Sequence, residues 1–410
     1  MKKLLAILLA SAMILGLAAC GTDSTSSSTT SAPAATEEKA ETEAETVAEA
    51  VAETVAESIA EVAEKESGAR PFKYGFISWG TADEHGRTLN AAVEWAVNAA
   101  GGEVVADGSA ISAETTVAAA ENLISAGCDI IAFCTYAGES TVPTISDLCR
   151  KNGVYWTMWD TTISDAEVAE YIKDDPYFVG TTAEDNVSAG YDTMKTLAEA
   201  GATNVLIIRY GTNIPTCDER CDGALKYIEE AGNITVADDM IIYSTDAAEY
   251  KSAVSNALLA HPEVDSVFLA GSGSKSTSVA EAFRNSGKTD FHIGAFDYFD
   301  AMGDMLKSGE LAVINGGHMV TGTFSALMTI NTLFGTPLSD EQYNVTIPYL
   351  TLKSYEDYEA YKQYASEGAA YTDEEMKAYL KVYNPDLTLE SFQEGVSKWS
   401  VADIMARKGN

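Results

Sequence analysis

Hydrophobic positions in the first part of the folded chain recur as short apolar runs that alternate with longer amphipathic segments. The run Tyr74–Ile77 predicts a buried strand, and residues 88–100 carry Leu89 and Val93 at helical spacing. Such alternation of strand and helix is typical of βαβ units built around a parallel sheet. Further strands are predicted at 103–106, 130–133 and 154–159, with helices at 114–126 and 142–151.

The same alternation starts again after residue 204. Ile241 and Ile242 are predicted to open a strand that is followed by a helix over 249–259. Two α/β units of similar size therefore lie in tandem, and a ligand is expected in the cleft where the carboxyl ends of their strands meet. The second unit has further predicted strands at 205–209, 264–269 and 292–295, and helices at 217–230 and 275–284.

The N-terminus carries a targeting signal rather than part of the fold. Lys2 and Lys3 precede an apolar stretch over 4–17 that is too short to span a bilayer, and small residues lead to Cys20. The run Leu-Ala-Ala-Cys resembles the lipobox of bacterial lipoproteins, which implies a 1–20 signal peptide and a lipid on Cys20. The mature chain is then expected at the outer face of the cytoplasmic membrane. The alternative is a secreted protein in which this cysteine is incidental.

Residues 21–70 are predicted to form a disordered tether. The segment is rich in Ser and Thr and then in Ala and Glu, with Val47, Val51 and Val55 spaced four residues apart. This narrow apolar stripe is compatible with a transient helix or stalk but cannot bury much surface.

Net charge excludes some partners. The chain has 26 Lys and Arg against 62 Asp and Glu, a formal charge of −36. Binding of nucleic acid or of anionic lipid headgroups needs clustered basic residues, so neither is an expected partner.

The cysteines predict neither a disulfide framework nor a metal centre. Five cysteines follow Cys20, an odd number, and their spacings match no zinc pattern. No metal or cofactor is therefore expected. Cys217 and Cys221 lie four residues apart, so a helix would place them on one face; we interpret them as small buried residues, with a disulfide as the alternative.

Several short motifs, in order, resemble a known family. The segment 180–190 contains Asp185-Asn186 followed by Gly190, and Ala200-Gly201-Ala202 and the segment 293–297 come later at the matching spacing. From Pro71 to about Lys353 the chain resembles the sugar-type (type I) periplasmic binding proteins of ABC importers.

This resemblance implies the fold and its division. Two flavodoxin-like lobes with parallel sheets are expected, joined by a three-crossover hinge that closes on a ligand. Lobe 1 would comprise 71–184 with 316–345, and lobe 2 would comprise 185–315 with 346–353. Residues 354–410 exceed the family's usual length, and their tyrosines at helical spacing predict a helical C-terminal extension.

The family's ligand contacts lie in loops after strands, and in the first lobe they map onto few matching residues. His85 falls where stacking aromatics usually stand, and Trp79 is the nearest aromatic, with a core or hinge tryptophan as the alternative. Tyr136 and Glu139 occupy the loop where an acid usually binds a hydroxyl. Trp159 and Asp160 follow the next strand, and the alternative for Asp160 is a solvated loop acid. Carboxylates suit sugar hydroxyls and aromatic faces suit sugar rings.

In the second lobe the family's fold markers persist better than its ligand groups. Asp218 stands where the family carries its ligand arginine, while Arg220 keeps the second arginine position or else pairs with a neighbouring acid. The acids favour a neutral or cationic solute over an anionic one. The remaining ligand positions map onto Tyr250, Ser272, Asp297 and His318.

The predicted function is capture of a small polar, sugar-like solute and its delivery to an ABC permease by a monomeric protein that is not an enzyme. One alternative is a receptor subunit that reports ligand occupancy to a membrane signalling protein. A second is a serine hydrolase, because Ser272 and Lys275 have the S-x-x-K spacing of some acylases; the competing interpretation is an ordinary helix start.

Overall fold

The structure is a computed structural model that describes residues 68–82, 84–135, 138–211, 214–244, 246–366 and 369–408. The predicted lipid site Cys20, most of the tether, Tyr136 and the side chain of His85 lie outside the described residues. In the described part, no helix has the length and apolar character needed to cross a membrane. No disulfide joins the five cysteines of this part.

Two six-stranded sheets organise the described chain. One has the order β11-β5-β4-β3-β1-β2 with every pairing parallel, and the other has the order β12-β10-β9-β8-β6-β7 with only β12 antiparallel. The strands are β1 Lys73–Ile77, β2 Glu103–Asp107, β3 Ile130–Phe133, β4 Tyr155–Met158, β5 Phe178–Glu184, β6 Asn204–Arg209, β7 Thr235–Ile241, β8 Ser266–Leu269, β9 His292–Phe296, β10 Leu311–Gly316, β11 Tyr343–Ile347 and β12 Leu350–Leu352.

Helices connect the strands and cover the sheets, as the alternating pattern predicts. The helices are α1 Glu84–Ala99, α2 Ala113–Ser125, α3 Val142–Asn152, α4 Ala166–Ile172, α5 Asn186–Ala200, α6 Pro215–Ala231, α7 Ala247–Ala260, α8 Ser276–Asn285, α9 Met302–Ser308, α10 Met319–Leu333, α11 Tyr355–Tyr361, α12 Asp373–Lys377, α13 Leu389–Val396 and α14 Val401–Lys408. These two α/β lobes form the predicted fold of type I periplasmic binding proteins, with a helical segment after β12.

One strand differs from its prediction. Ile241 ends β7 rather than opening a strand, because β7 starts at Thr235. β7 is an edge strand whose residues are mostly exposed or half-buried, so it includes Asp238 and Asp239 and lacks the apolar run that marks a buried strand.

The chain passes between the lobes three times. The first passage follows β5 at residues 184–186, and the second follows β10 at 316–318. The third lies at 348–349 rather than at the predicted 345–346, because β11 stays paired with β5 as far as Ile347.

Two glycines allow α5 and α6 to pack closely at the first passage. A Cβ on Gly190 would lie 1.9 Å from the carbonyl oxygen of Arg220, and a Cβ on Gly223 would lie 2.0 Å from that of Val187. Neither position has room for a side chain, which gives the glycine of the Asp-Asn-x-x-x-Gly motif a packing role. The contact also holds the start of α6, and with it Arg220, against the hinge.

The C-terminal extension, of which the structure describes residues 354–366 and 369–408, folds back onto both lobes. Its helix α11 packs against α9 of lobe 2, whereas α12 packs against α1 and α13 against β11 of lobe 1. Trp399 is fully buried and continuous with the core of the lobes.

Candidate ligand-binding cleft

Three residues with left-handed backbone mark the cleft between the lobes. Asp160, Ser272 and Asp297 have φ angles of 56°, 58° and 72°, and they are the non-glycine residues with positive φ among those described. They follow β4, β8 and β9, at the carboxyl ends of strands from both sheets. Such strained positions cost about 1–3 kcal/mol each and concentrate at functional sites. The sequence predicts all three as ligand residues.

Asp297 is the carboxylate that remains partly open. Its Oδ2 accepts a hydrogen bond of 2.8 Å from the backbone N–H of Ser272, which holds the two strained residues together. Its side chain is 38 % exposed. Ser272 in turn hydrogen-bonds the hydroxyl of Tyr250, a buried residue of α7.

His318 connects acids from the two lobes. Its Nδ1 lies 3.0 Å from Oε1 of Glu184 at the end of β5, and its Nε2 lies 3.2 Å from Oδ1 of Asp297 at the end of β9. The His318 and Glu184 side chains are 5 % and 2 % exposed. Since both ring nitrogens face carboxylates, the imidazole is held as a doubly donating cation.

Negative and positive side chains alternate in this group, with the cation of His318 between the carboxylates of Glu184 and Asp297. Burial alone would lower the pKa of His318, but the hydrogen bonds to Asp297 and Glu184 outweigh it and raise that pKa to about 10. Burial would raise the pKa of Glu184, but the hydrogen bond and charge of His318 lower it to about 2. Burial and the charge of Glu184 hold the pKa of Asp160 well above its usual range, so Asp160 keeps its proton and shares it with Glu184.

Arg220 joins two of the crossovers to lobe 2. Its Nε donates to Oδ1 of Asn186 (3.1 Å), its Nη2 to the hydroxyl of Tyr349 (2.6 Å) and its Nη1 to the carbonyl of Ala270 (2.8 Å). The guanidinium also lies 4.4 Å from the centre of the Phe296 ring. These contacts replace the predicted alternative of an ion pair with Glu219 or Asp222.

The aromatic pair at the first lobe is only partly accessible. Trp159 is fully buried, with its ring 5.2 Å from that of Phe76 and 5.6 Å from that of Trp79. Trp79, at the end of β1, is half-buried and lies over it. In this arrangement Trp159 supports Trp79, and Trp79 is the tryptophan nearer the surface.

Two predicted acids are engaged by other groups of the protein. Asp218 is paired with Arg209 at 3.3 Å on the exposed side of α6, and Arg209 also pairs with Asp239 at 2.8 Å. Glu139 accepts hydrogen bonds from the backbone N–H groups of Ser164 and Asp165, each at 2.9 Å, and so ties two loops together. The roles of His85 and Tyr136 as ligand residues stay predictions, since their side chains lie outside the described set.

Glu184, Asn186 and Tyr349 belong to the site but were not predicted as part of it. Asn186 was predicted only as a fold marker, and Tyr349 was not singled out. A usable signal for Glu184 is its place directly before Asp185-Asn186, at the end of a strand that feeds a crossover. Tyr349 had no comparable signal, because its partner Arg220 is 129 residues away.

A cavity of about 340 Å³ borders this group and draws residues from both lobes. Asp160 and Glu184 line it from lobe 1, and Thr216 and Glu219 line it from α6. Asp160, Glu184 and His318 also offer ligand atoms within 4.8 Å of one another, the spacing of a possible metal site. A metal ion would have to displace the protons that His318 donates to Glu184 and Asp297, so the existing hydrogen bonds compete with it.

Comparison with known proteins agrees with this geometry. Residues 74–330 match the family model described as the periplasmic binding protein domain, and the chain belongs to this family. The type I fold and a solute-binding rather than enzymatic role are thereby established, as the sequence predicts. No curated protein sequence matches the chain.

Solved structures with the same fold include three solute-binding proteins of ABC transporters. One from Actinobacillus succinogenes 130z, with bound D-allose, has 18% identity and a TM-score of 0.60 over 70% of this chain and 98% of its own. One from Bacillus halodurans C-125, with bound myo-inositol, has 20% identity and a TM-score of 0.58 over 72% and 98%. One from Agrobacterium vitis, with α-D-tagatopyranose, has 19% identity and a TM-score of 0.57 over 69% and 94%.

Proposed function

We propose that this protein captures a small, neutral, polyhydroxylated solute, a sugar or polyol, between its two lobes outside the cell. The observation that carries the proposal is the set of strained residues Asp160, Ser272 and Asp297, which end strands of both sheets and present a partly open carboxylate. A carboxylate accepts two hydroxyl protons at once, which suits a vicinal diol. The sugars and the polyol bound to the three structural neighbours support this class of ligand.

Neutrality of the ligand is inferred from the balance of charges. The cation of His318 lies between Glu184 and Asp297, Arg220 acts on Asp297 through its field, and Asp160 keeps a proton. The carboxylates lining the adjoining cavity would repel an anion such as a sugar phosphate. Asp218 is paired with Arg209, which it shares with Asp239, so the inference of neutrality does not depend on Asp218.

Delivery to an ABC permease and attachment through a lipid on Cys20 complete the proposal, with the protein acting as a monomer. The lipobox motif and the transporter neighbours support it. Without Cys20 no lipid can be attached, so Cys20→Ser should either leave the signal peptide uncut or give a cut protein without an anchor. In a phase-partition assay, the cut protein should move from the detergent phase to the aqueous phase. An uncut precursor keeps its apolar signal segment and stays in the detergent phase, so a variant that is cut and still stays there would contradict the anchor.

A thermal-shift screen tests the ligand class directly. D-Allose, D-tagatose and myo-inositol would be compared with D-glucose 6-phosphate and D-glucosamine as charged probes. A true ligand at 100 times its Kd should stabilise the protein by about 2.7 kcal/mol. Asp297→Asn should weaken its binding by about 2 kcal/mol, the scale of a charged hydrogen bond.

Asp300→Asn is the matched control, because Asp300 is exposed and only three residues away. It should bind as the wild type does. A response confined to the sugar phosphate and unaffected by Asp297→Asn would overturn both the ligand class and the site.

A further inference from the structure

The C-terminal extension contacts both lobes at separate places. Its lobe 2 contact is formed by α11, where the ring of Tyr361 lies 4.6 Å from that of Tyr298 and Lys307 of α9 lies 4.8 Å from the ring of Tyr355. Tyr358 packs so closely on α9 that a Cβ on Gly303 would lie 2.4 Å from its ring. This contact is tight and largely aromatic.

The lobe 1 contact is centred on Phe324 of α10. The rings of Tyr371, Tyr379 and Phe392 lie 5.7, 5.1 and 5.8 Å from the Phe324 ring. Three aromatic rings of the extension therefore surround one side chain of the lobe, and all four residues are buried or half-buried.

Polar contacts fix the register of the extension on lobe 1. Asn331 of α10 donates to the carbonyl of Tyr379 (2.8 Å) and accepts from the N–H of Lys381 (2.7 Å). Gln393 bonds both the N–H and the carbonyl of Thr346 on edge strand β11, at 3.1 and 2.7 Å. Side-chain amides thus replace the hydrogen bonds of a missing strand.

The two contacts are joined within the extension and near the hinge. Helix α14 packs against α11 and against the π-helical turn 362–366, while its Arg407 bonds the carbonyl of Ala370 at 2.8 Å. Trp399 stacks on Tyr371 at 5.8 Å and lies against Gly317 in the second crossover. The described parts of the extension, 354–366 and 369–408, therefore pack on one another as well as on both lobes.

We propose that the C-terminal extension is a strap that restrains rotation of the two lobes and so limits how far the cleft opens before a ligand arrives. A type I hinge consists of three short crossovers, and the strap adds a fourth connection with side-chain packing at both ends. Rotation of the lobes must strain or slide one of its two contacts. A restrained cleft loses less conformational freedom when a ligand binds. The proposal does not depend on which ligand the cleft takes.

The test measures the distance between the lobes in the ligand-free protein. Nitroxide labels would be placed through Glu121→Cys on α2 and Glu249→Cys on α7, two exposed sites, in a Cys134→Ser background that removes the partly accessible native thiol. Pulsed electron paramagnetic resonance then gives the distance distribution. The wild-type chain should show one narrow distribution.

Two variants weaken the lobe 2 contact in different ways. Tyr361→Ala deletes a ring from the contact, and Gly303→Ala adds a methyl group that crowds Tyr358 while improving the intrinsic helix propensity of α9. Both should lengthen the mean distance and broaden the distribution. Tyr383→Ala is the matched control, because Tyr383 belongs to the same extension and is 46% exposed.

Circular dichroism would confirm that each variant is folded. If Tyr361→Ala does not fold, the comparison of Gly303→Ala with the wild type tests the proposal. A wild-type distribution that is already broad, or a Gly303→Ala distribution identical to that of the wild type, would overturn the strap.

Discussion

At the scale of single residues, the centre of the site is a histidine between two carboxylates of different lobes. His318 bonds Glu184 and Asp297 and is almost completely buried. Its charge neutralises acids that would otherwise repel one another, and it also fixes the orientation of Asp297 toward the cleft. A single protonation state thus supports both the hinge and the candidate ligand carboxylate.

This arrangement predicts a specific dependence of stability on pH. The pKa of His318 rises from 6.5 unfolded to about 10 folded, so its contribution to stability is fully present below about pH 6.5 and is lost as the pH rises toward 10. His318→Gln should therefore remove part of the decline in unfolding free energy between pH 7 and pH 10. The measurement is chemical unfolding of both proteins across that interval.

His261→Gln serves as the control, since His261 lies partly exposed after α7 and its Nδ1 is 3.4 Å from the exposed Glu263. It should leave the pH profile unchanged. Parallel profiles for the wild type and His318→Gln would contradict the charged state of His318.

Much of the site could be predicted from sequence, and the reason is positional. Ser272, Asp297 and His318 follow strands, and the carboxyl ends of parallel strands meet in the cleft. The pairing of Asp218 with Arg209 could not be predicted, because it depends on how α6 sits on the sheet, and the role of Asp218 as a ligand residue stays a prediction. Tyr349 and Arg220 meet only after the whole chain has folded.

At the scale of elements, apolar runs predicted several buried strands and the edge strand β2, whereas the fully buried β5 was not predicted and the bounds of β7 were wrong. β3 and β8 consist of buried residues throughout and are predicted from the sequence, whereas β7 at the edge of its sheet is not. β7 has one free side and includes Asp238 and Asp239, so it needs no continuous apolar run and hydropathy gave little signal for it. The packing of α5 on α6 could not be predicted either, although Gly190 belongs to a motif that was recognised in the sequence.

Gly190→Ala tests the packing role of that motif. Alanine is about 1 kcal/mol better than glycine in a helix, so an unpacked site would gain stability. Here the added Cβ would lie 1.9 Å from the carbonyl of Arg220, and α5 would have to move away from α6. We expect a net loss of about 1–3 kcal/mol of unfolding free energy.

Urea unfolding gives this value, with Ser188→Ala on the exposed face of the same helix as control. The control should change stability little. A Gly190→Ala variant that is more stable than the wild type would show that α5 and α6 leave room for a methyl group at this position.

At the scale of the whole molecule, one buried network joins the lobes at two of the three crossovers. Asn186 of the first crossover and Tyr349 of the third both bond Arg220, which also reaches Ala270 of lobe 2. The ring of His318, in the second crossover, lies 5.1 Å from that of Tyr349. The side chains of the three crossovers therefore contact one another, so the crossovers form one hinge and do not act as three independent segments.

Tyr349→Phe removes one hydroxyl from this network with little change of shape. That hydroxyl accepts from Nη2 of Arg220 at 2.6 Å and donates to Oδ1 of Asn186 at 2.7 Å. Its loss leaves Nη2 of a buried cation without that acceptor, which costs about 1–3 kcal/mol. We expect a lower melting temperature and a lower unfolding free energy.

Tyr343→Phe is the matched comparison, because the Tyr343 hydroxyl is buried on β11 with no hydrogen-bond partner among the described residues. Removing a buried polar atom that has no partner should be neutral or slightly stabilising. The two variants delete the same atom from the same residue type at Tyr343 and Tyr349, so area and volume effects largely cancel between them. A Tyr349→Phe variant as stable as Tyr343→Phe would mean that Arg220 finds another acceptor and that the crossovers are not coupled through it.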